Sequence, residues 1–246
     1  MINIINITKS FNGLNAVNNL SFEWKDYSIV SLIGPNGAGK TTLFNIISGF
    51  ISCFSGKIIF NGKNILNLTP DKIVHEGISR THQDLRLLTQ LTVMENVLLN
   101  QLNHIGENPI ISCLRTKKFK NNQKEHIEKS LSILETIELI DKANDLSETL
   151  SYGQQKLLSI GCCIASDPIL LLLDEPLSGL NYKMIDKVLS LLSDISSKKK
   201  IFIIEHNIEA IEHISEIFLV MNAGSITAEG PPDIIRKKDI LEIFLG

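Results

Sequence analysis

A glycine-rich stretch from Gly34 to Thr42 carries the residue types that bind phosphate. It reads GPNGAGKTT, fits the pattern G-x-x-x-x-G-K-[ST], and follows the apolar run Ser28 to Ile33. Glycines let successive backbone N–H groups face inward as a nest for an anion, and a helix that begins at Lys40 directs its positive end to the same point. We expect Lys40 to contact the β- and γ-phosphates of a nucleotide and the Thr41 hydroxyl to bind Mg²⁺.

Two neighbouring carboxylates follow a second apolar strand. The segment ILLLLDEP, residues 169–176, ends in Asp174 and Glu175 before its proline, and open α/β sheets bind ligands at the carboxyl ends of their strands. Asp174 suits the coordination shell of Mg²⁺, and Glu175 is placed to orient or deprotonate an attacking water. The alternative, a solvated strand end, is disfavoured by the phosphate loop in the same chain.

Two further polar residues occur where strand patterns end. His206 comes soon after the apolar run Ile201 to Ile204 and is suited to bond a γ-phosphate, although a histidine at a strand end is more often structural. Gln83 lies where the strand-like first part gives way to a helical segment. Its amide is available to Mg²⁺ or to the water and marks a hinge, but alone that glutamine would be unremarkable.

A second candidate anion site begins in the stretch LSYGQQK, residues 150–156. Ser151 and Gln154 have the spacing of a capping box, which predicts that a helix starts at Ser151. Its hydroxyl and the nearby N–H groups would then be free to bind an anion. A purely structural helix cap is the alternative.

The elements that position these residues follow from the apolar periodicity. Residues 1–60 are strand-like apart from one helix after the phosphate loop. From about residue 85 to 150 the spacing is helical, with a capping box at Thr92 and Glu95. After Pro168 strands and helices alternate again, which indicates a largely parallel sheet covered by helices.

Composition sets limits on partners and compartment. The chain has 246 residues, 43% of them hydrophobic, and a net charge of −3, which gives no bulk attraction to nucleic acid. The apolar run Ile169 to Leu173 is too short to span a bilayer and the N-terminus lacks a signal-peptide pattern, so another chain would supply any membrane-spanning part. The scattered cysteines indicate a reduced, cytoplasmic compartment; they are Cys53, Cys113, Cys162 and Cys163.

The motifs together resemble those of the ATP-binding subunits of ABC transporters, over essentially the whole chain. Six of them occur in the order of that family: GPNGAGKTT, Gln83, LSYGQQ, ILLLLDEP, SGLN at Ser178 to Asn181, and His206. Two longer passages, SRTHQDLRLLTQLTVMENVLL and IIEHNIEAI, are similar to the branched-chain amino-acid uptake subgroup, as are AEGPPDIIR, the terminal FLG and the tyrosine of LSYGQQ.

The resemblance implies an α/β fold. The expected fold is a P-loop NTPase core, with a mixed, largely parallel sheet and an antiparallel β subdomain, plus an inserted helical subdomain. Within a single ABC ATPase domain of residues 1–246, residues 1–84 and 168–246 would form the nucleotide-binding core. Residues from about 85 to 167 would form the helical subdomain with the LSYGQ signature motif.

The resemblance also implies that ATP and Mg²⁺ lie between two such subunits, the phosphate loop of one facing the LSYGQ helix of the other. A chain with one loop and one such helix carries half of each of two sites. Phe11 would stack on adenine, although an aromatic residue that merely ends a strand is equally consistent with the sequence, and Ser178 to Asn181 would cross the dimer interface. The expected site residues are Glu175, His206, Gln83 and Lys40 for catalysis; Phe11, Asn36, Gly37, Ala38, Gly39, Lys40, Thr41, Thr42, Ser151, Gly153 and Gln154 for ATP; and Thr41, Gln83 and Asp174 for Mg²⁺.

The function expected from this resemblance is ATP hydrolysis in a closed dimer that drives import of branched-chain or other amino acids. Separate transmembrane permeases would seat on the helical subdomain near Gln83, at the cytoplasmic face of the cell membrane. The second ATP-binding subunit is either another copy or a sister subunit. Urea and related amides are alternative substrates.

Two alternatives belong to other functional classes. A soluble ABC-type ATPase acting on ribosomes or DNA usually has two cassettes in one chain or long coiled-coil insertions, and this sequence has neither. A phosphate-loop kinase or nucleotide switch that works alone would have no use for the LSYGQQ helix or for His206. Hydrolysis by a monomer, unaffected by substitution of Ser151, would favour the second alternative.

Four residues depart from the pattern of the family. His82 stands where relatives usually carry phenylalanine, Leu157 and Cys162 where most carry arginine, and Tyr182 where proline is usual. We expect effects on packing at the Gln83 hinge, on ion pairs of the helical subdomain and on dimer contacts. The residues expected to act on phosphate and water are intact.

Overall fold

The computed structural model describes residues 1–53, 55–81, 85–102 and 117–245. The chain divides into two compact units, one formed by Met1–Gln83 with Ile169–Gly246 and the other by Asp84–Pro168. In the described ranges, no helix combines the length and the apolar character needed to cross a membrane.

The first unit contains the strands and most of the shorter helices. Its strands are β1 (Ile2–Phe11), β2 (Leu14–Glu23), β3 (Ile29–Ile33), β4 (Ser55–Phe60), β5 (Lys63–Asn64), β6 (Ile78–Arg80), β7 (Leu170–Asp174), β8 (Lys200–Ile204), β9 (Ile217–Asn222) and β10 (Ser225–Gly230). The α-helices of the described residues are α1 (Lys40–Ile47), α2 (Pro70–His75), α3 (Val93–Leu99), α4 (Lys117–Thr136), α5 (Tyr152–Ala165), α6 (Tyr182–Ser196), α7 (Ile208–Glu212) and α8 (Lys238–Leu245).

The strands form two sheets of different kinds. The first is four-stranded, antiparallel and ordered β2-β1-β4-β5. The second is six-stranded and ordered β10-β9-β3-β8-β7-β6, with every neighbouring pair parallel except β10 and β9. The predicted α/β fold, with a mixed, largely parallel sheet and an antiparallel β subdomain, is confirmed.

The central strands of the parallel sheet are buried along their length. Every residue of β3 and of β7 is buried, which explains why their sequences are continuous apolar runs without alternation. Because β3, β7 and β8 are parallel, their carboxyl ends lie at one edge of the sheet. The phosphate loop and the acidic pair both follow strands at that edge.

An aromatic cluster joins the two sheets and α1. The ring of Phe202, on β8, lies 6.2 Å from that of Phe22, 5.5 Å from that of Trp24 and 5.0 Å from that of Phe44, measured between centroids. Phe22 belongs to the antiparallel sheet and Phe44 to α1. Phe202 is fully buried, so one side chain contacts three layers of the unit.

The second unit is helical, with α3, α4 and α5 packed together. The predicted capping box at Thr92 and Glu95 is present: the Thr92 hydroxyl accepts a bond from the Glu95 N–H at 3.1 Å, and the Glu95 carboxylate accepts one from the Thr92 N–H at 2.8 Å. Each helix carries a fully buried apolar side chain: Val97 on α3, Leu134 on α4 and Leu157 on α5.

Phe202→Ala should lower the free energy of unfolding by about 3–5 kcal/mol, because it leaves a cavity where three layers meet. Urea denaturation followed by circular dichroism measures this change. Tyr182→Ala is the control, since that ring is 88% exposed and its loss should change stability by no more than about 0.5 kcal/mol. Equal effects of the two substitutions would contradict the central role of the cluster.

Candidate functional site

The phosphate loop connects β3 to α1 under tight steric constraint. Gly34 and Gly39 have positive φ angles of 152° and 102°. A Cβ atom at Gly34 would lie 2.1 Å from the carbonyl oxygen of Met221, and one at Gly39 would lie 2.0 Å from that of Ala16. Both positions therefore require glycine, since any side chain would collide with backbone.

Lys40, the first residue of α1, is buried and only 6% exposed. Its Nζ donates hydrogen bonds to the carbonyl oxygens of Gly34, at 2.8 Å, and Pro35, at 2.9 Å. Burial lowers the pKa of Lys40, and the charges of Glu175 and Asp174 oppose that change. The ammonium group thus braces the start of the loop and interacts electrostatically with both acids.

A pocket of about 290 Å³ lies over the loop. It is lined by Asn36 to Thr42, by Ala16, and by Glu175 and His206. All of these residues belong to the first unit. The structure thus places three of the predicted catalytic residues, Lys40, Glu175 and His206, beside the predicted phosphate-binding backbone.

Glu175 and His206 contact each other at the wall of this pocket. The Nε2 atom of His206 lies 3.0 Å from Oε1 of Glu175. Glu175 has a φ angle of 50°, which is uncommon for a residue with a side chain and is often found where function fixes the backbone. Its N–H donates to the carbonyl of Ile204 at 2.9 Å, so this conformation is tied to the end of β8.

Asp174 ends β7 and is almost completely buried, at 1% exposure. Its Oδ2 accepts a hydrogen bond from Nη2 of Arg80 at 2.8 Å, whereas its Oδ1 is buried and has no hydrogen-bond partner in the part of the chain that is described. Burial raises the pKa of Asp174, and the adjacent Arg80 guanidinium opposes that rise. One oxygen of this carboxylate is thus held and the other is unsatisfied.

That unsatisfied oxygen fits a hard divalent cation. Mg²⁺ prefers oxygen ligands and commonly takes one or two from protein, with substrate phosphates and waters completing its shell. Thr41, which lines the pocket, carries a hydroxyl oxygen of suitable type. Among the described residues no cluster of three or more His, Cys, Asp or Glu would hold a metal by itself.

Glu205 has a structural role here that its sequence position alone did not reveal. It is 3% exposed; its Oε1 accepts from the N–H of Leu177 at 2.6 Å and its Oε2 from the N–H of His206 at 3.1 Å. Burial raises the pKa of Glu205, and the backbone hydrogen bonds oppose that rise. The carboxylate therefore ties the turn after Glu175 to the residue that contacts Glu175.

Phe11 is not among the residues that line the pocket. It ends β1 at the tip of the hairpin formed with β2, and its ring is 44% exposed. The ammonium of Lys9 lies 5.1 Å from the ring centroid, a cation–π contact on an exposed aromatic surface. Stacking of this ring on adenine stays a prediction.

The predicted helix start at Ser151 lies in the second unit, and its capping box is confirmed. The Ser151 hydroxyl accepts a bond from the Gln154 N–H at 3.4 Å, and the Gln154 side chain accepts one from the Ser151 N–H at 3.0 Å. The hydroxyl is therefore engaged as a cap, which differs from the prediction that it is free. Because its oxygen accepts in that bond, its own hydrogen stays available to an anion, beside the partly exposed Gly153.

Two of the remaining residues, His82 and Gln83, lie outside the described residues. His82 is a departure from the family pattern, and Gln83 is expected to contact Mg²⁺ and water. Leu157 is fully buried and Cys162 is 8% exposed, so both serve the interior of the second unit. Asn181 caps α6 through its side chain, which accepts from the Met184 N–H at 3.0 Å.

Comparison with known proteins identifies the family. The family model described as "ABC transporter" matches residues 17–178. The high-affinity branched-chain amino acid transport ATP-binding protein BraF of Pseudomonas aeruginosa is 36% identical over 249 aligned residues, covering 100% of this chain and 98% of that protein. The chain belongs to the ABC transporter family. The resemblance inferred from the motifs, including the branched-chain amino-acid subgroup, is confirmed.

Solved structures of ABC cassettes share the fold. A nucleotide-free ATP-binding cassette from an ABC transporter has a TM-score of 0.86 and 31% identity, covering 100% of this chain and 99% of that one. A dimeric cassette in a post-hydrolysis state, bound to ADP and phosphate, has a TM-score of 0.76 and 25% identity, covering 94% and 99%. The expected P-loop NTPase core and the expected class, an ATPase, are confirmed for this ABC cassette.

Two glycines of the loop should differ in their tolerance of alanine. Gly39→Ala should strongly destabilise the first unit and abolish nucleotide binding, because its Cβ would overlap the Ala16 carbonyl. Gly37→Ala is the matched control: it also has positive φ, 79°, but a Cβ there meets nothing within 4 Å, so only about 1–2 kcal/mol of backbone strain is expected. Denaturant unfolding without nucleotide measures both, and equal losses would contradict the steric assignment.

Proposed function

We propose that this chain is an ATP-hydrolysing subunit of an importer for branched-chain amino acids, working as one of a pair. The observation that carries the ATPase assignment is the pocket in which the phosphate loop, Lys40, Glu175 and His206 come together. The amino-acid substrate rests on the name of the Pseudomonas relative and on its full-length match.

The loop would bind the phosphates of ATP through its backbone. Residues Asn36 to Thr42 line the pocket, and their N–H groups would bond the phosphate oxygens. Lys40 would exchange its bonds to two loop carbonyls for bonds to β- and γ-phosphate oxygens. Thr41 and Asp174 would hold Mg²⁺, which when bound neutralises charge on the phosphate oxygens. We expect Gln83 to act as a further ligand, on its position in the sequence.

Glu175 would orient the attacking water and accept its proton. His206, 3.0 Å from Glu175, would fix that carboxylate and hydrogen-bond the γ-phosphate from the same wall of the pocket. Glu205 holds the backbone of both segments through its two accepted bonds. Catalysis would then consist mainly of positioning and charge neutralisation, as in other phosphoryl-transfer sites.

A second subunit would complete the site. The residues lining the pocket all come from the first unit, whereas the capped helix start with Ser151, Gly153 and Gln154 belongs to the second. In a pair of subunits, the helix start of one would contact the γ-phosphate held by the other, and Ser178 to Asn181 would lie at the interface. The dimeric cassette with bound ADP and phosphate supports the pairing of two subunits.

Transport would require membrane partners. We propose separate permease subunits that span the membrane and seat this chain at its cytoplasmic face, with Phe11 stacking on the adenine of bound ATP. The second ATP-binding subunit is a sister chain or another copy. In either case ATP-driven closure of the pair would power the permeases.

Glu175→Gln should leave ATP binding intact and reduce the hydrolysis rate about 100-fold or more, because the amide cannot accept the proton of the water. Lys40→Ala should instead weaken nucleotide binding about 10- to 100-fold, since a charge-assisted bond to phosphate is lost. Isothermal titration with ATP and a phosphate-release assay separate the two effects. Full hydrolysis by Glu175→Gln would remove Glu175 from the mechanism.

The transport assignment is tested by purifying the chain with candidate permease subunits and reconstituting the complex in vesicles with a candidate binding protein. ATP hydrolysis should rise on addition of leucine, isoleucine or valine, and labelled leucine should accumulate. Stimulation by urea or short amides in place of leucine would assign a different substrate. ATP hydrolysis that needs no permease and responds to ribosomes would favour the soluble ATPase.

A further inference from the structure

Arg80 occupies a buried position between the phosphate-loop helix and the acidic strand end. It is the last residue of β6, and its side chain is 5% exposed. Its Nη1 donates to Oδ1 of Asn45 at 2.7 Å and to Oγ of Ser48 at 3.0 Å, both in the α1 segment, while its Nη2 donates to Asp174. The guanidinium carbon also lies 5.7 Å from the ring centroid of Phe44.

These contacts fix the plane of the guanidinium. A planar group with donors in a fixed fork cannot rotate while it bonds Asn45 and Ser48 on one side and packs against an aromatic ring. The same plane directs a third donor, Nη2, to the Oδ2 atom of Asp174. The structure thus supplies a rigid anchor on one oxygen of that carboxylate.

The other oxygen of Asp174 is the one without a partner. The N–H of Asp174 is held by Oγ1 of Thr81 at 3.1 Å, so its backbone as well as its Oδ2 is attached to β6 and the residue that follows it. Oδ1 is buried and unpaired in the described chain, which is costly for a carboxylate oxygen unless a ligand satisfies it. Rotation that would relieve Oδ1 is blocked by the bond to Arg80.

We propose that Arg80 is a positioning residue for the metal: it holds Oδ2 of Asp174 so that Oδ1 is presented to the Mg²⁺ that accompanies ATP. This inference rests on the proposed function, which makes Asp174 a ligand of Mg²⁺. Arg80 itself contacts neither nucleotide nor metal. It acts by orienting the ligand, as outer-shell partners of metal ligands do.

The test uses the full chain and binding of ADP, so that turnover does not enter. Affinity for a fluorescent ADP analogue is measured against free Mg²⁺ concentration for wild type, Arg80→Lys and Arg80→Gln, and Mn²⁺ binding in the presence of ADP is followed by electron paramagnetic resonance. A lysine retains the charge but cannot bond Asn45, Ser48 and Asp174 in one plane. Arg236→Lys is the matched control, because that arginine pairs with Glu212 at 2.8 Å on the surface, 73% exposed.

Both Arg80 variants should need about 10- to 100-fold more Mg²⁺ for half-maximal enhancement of ADP binding. Their affinity for ADP without metal should stay within about twofold of wild type, because the loop and Lys40 keep their contacts. Arg236→Lys should match wild type in both measurements. If the Arg80 variants do not fold, Ser48→Ala, which removes one anchor of the guanidinium, should give a smaller shift in the same direction.

An unchanged Mg²⁺ dependence of ADP binding in Arg80→Lys would overturn the proposal. Tighter Mg²⁺ binding would also overturn it, because Arg80 would then compete with the cation. An equal loss of ADP affinity with and without metal would do so as well, because it would indicate only a structural role. Asp174→Asn separates this inference from the proposed function. If that variant keeps the wild-type Mg²⁺ dependence, the metal assignment itself is wrong. If it loses that dependence while Arg80→Lys does not, only the role of Arg80 fails.

Discussion

The nucleotide pocket depends on the close approach of the phosphate loop to two carbonyl groups. The loop is held between the Met221 carbonyl, on β9, and the Ala16 carbonyl, on β2, at distances that exclude a side chain at Gly34 or Gly39. Two backbone hydrogen bonds of Gly224 extend this contact. The N–H of Gly224 donates to the carbonyl of Ala38, in the loop, at 3.0 Å, and the carbonyl of Gly224 accepts from the N–H of Asn18, on β2, at 2.8 Å. The loop therefore takes its shape from both sheets.

Around that loop the charged groups are buried in mutually supporting sets. Lys40 is near two carboxylates, Asp174 is held by Arg80, and Glu205 accepts hydrogen bonds from the backbone N–H groups of Leu177 and His206. Isolated buried charges are costly, whereas charges with hydrogen bonds or opposite partners are tolerated and keep a fixed geometry. The carboxylates of Asp174 and Glu205 are therefore held in position before a nucleotide arrives, which favours electrostatic catalysis.

Local patterns in the sequence predicted the parts of this site that depend on local structure. The phosphate loop, the acidic pair after β7 and the capping boxes at Thr92 and Ser151 each consist of neighbouring residues, whose spacing carries the information. The bond between Arg80 and Asp174 could not be predicted in this way, since it joins residues 94 positions apart and leaves no periodicity. The bond between Glu205 and the N–H of Leu177, 28 positions away, could not be predicted from the sequence for the same reason. Nor could the close approach of the Ala16 carbonyl, which leaves no room for a Cβ atom at Gly39.

The order of strands in the parallel sheet has a consequence for synthesis of the chain. β3, which leads into the phosphate loop, pairs with β8 and β9, and both are made only after the whole Asp84–Pro168 unit has been translated. At about 5–20 residues per second, the apolar β3 segment waits without its sheet neighbours while that helical unit, continuous in sequence, can already fold. The nucleotide pocket is therefore completed only after β8 and β9 have been translated, well after the segment that forms its loop.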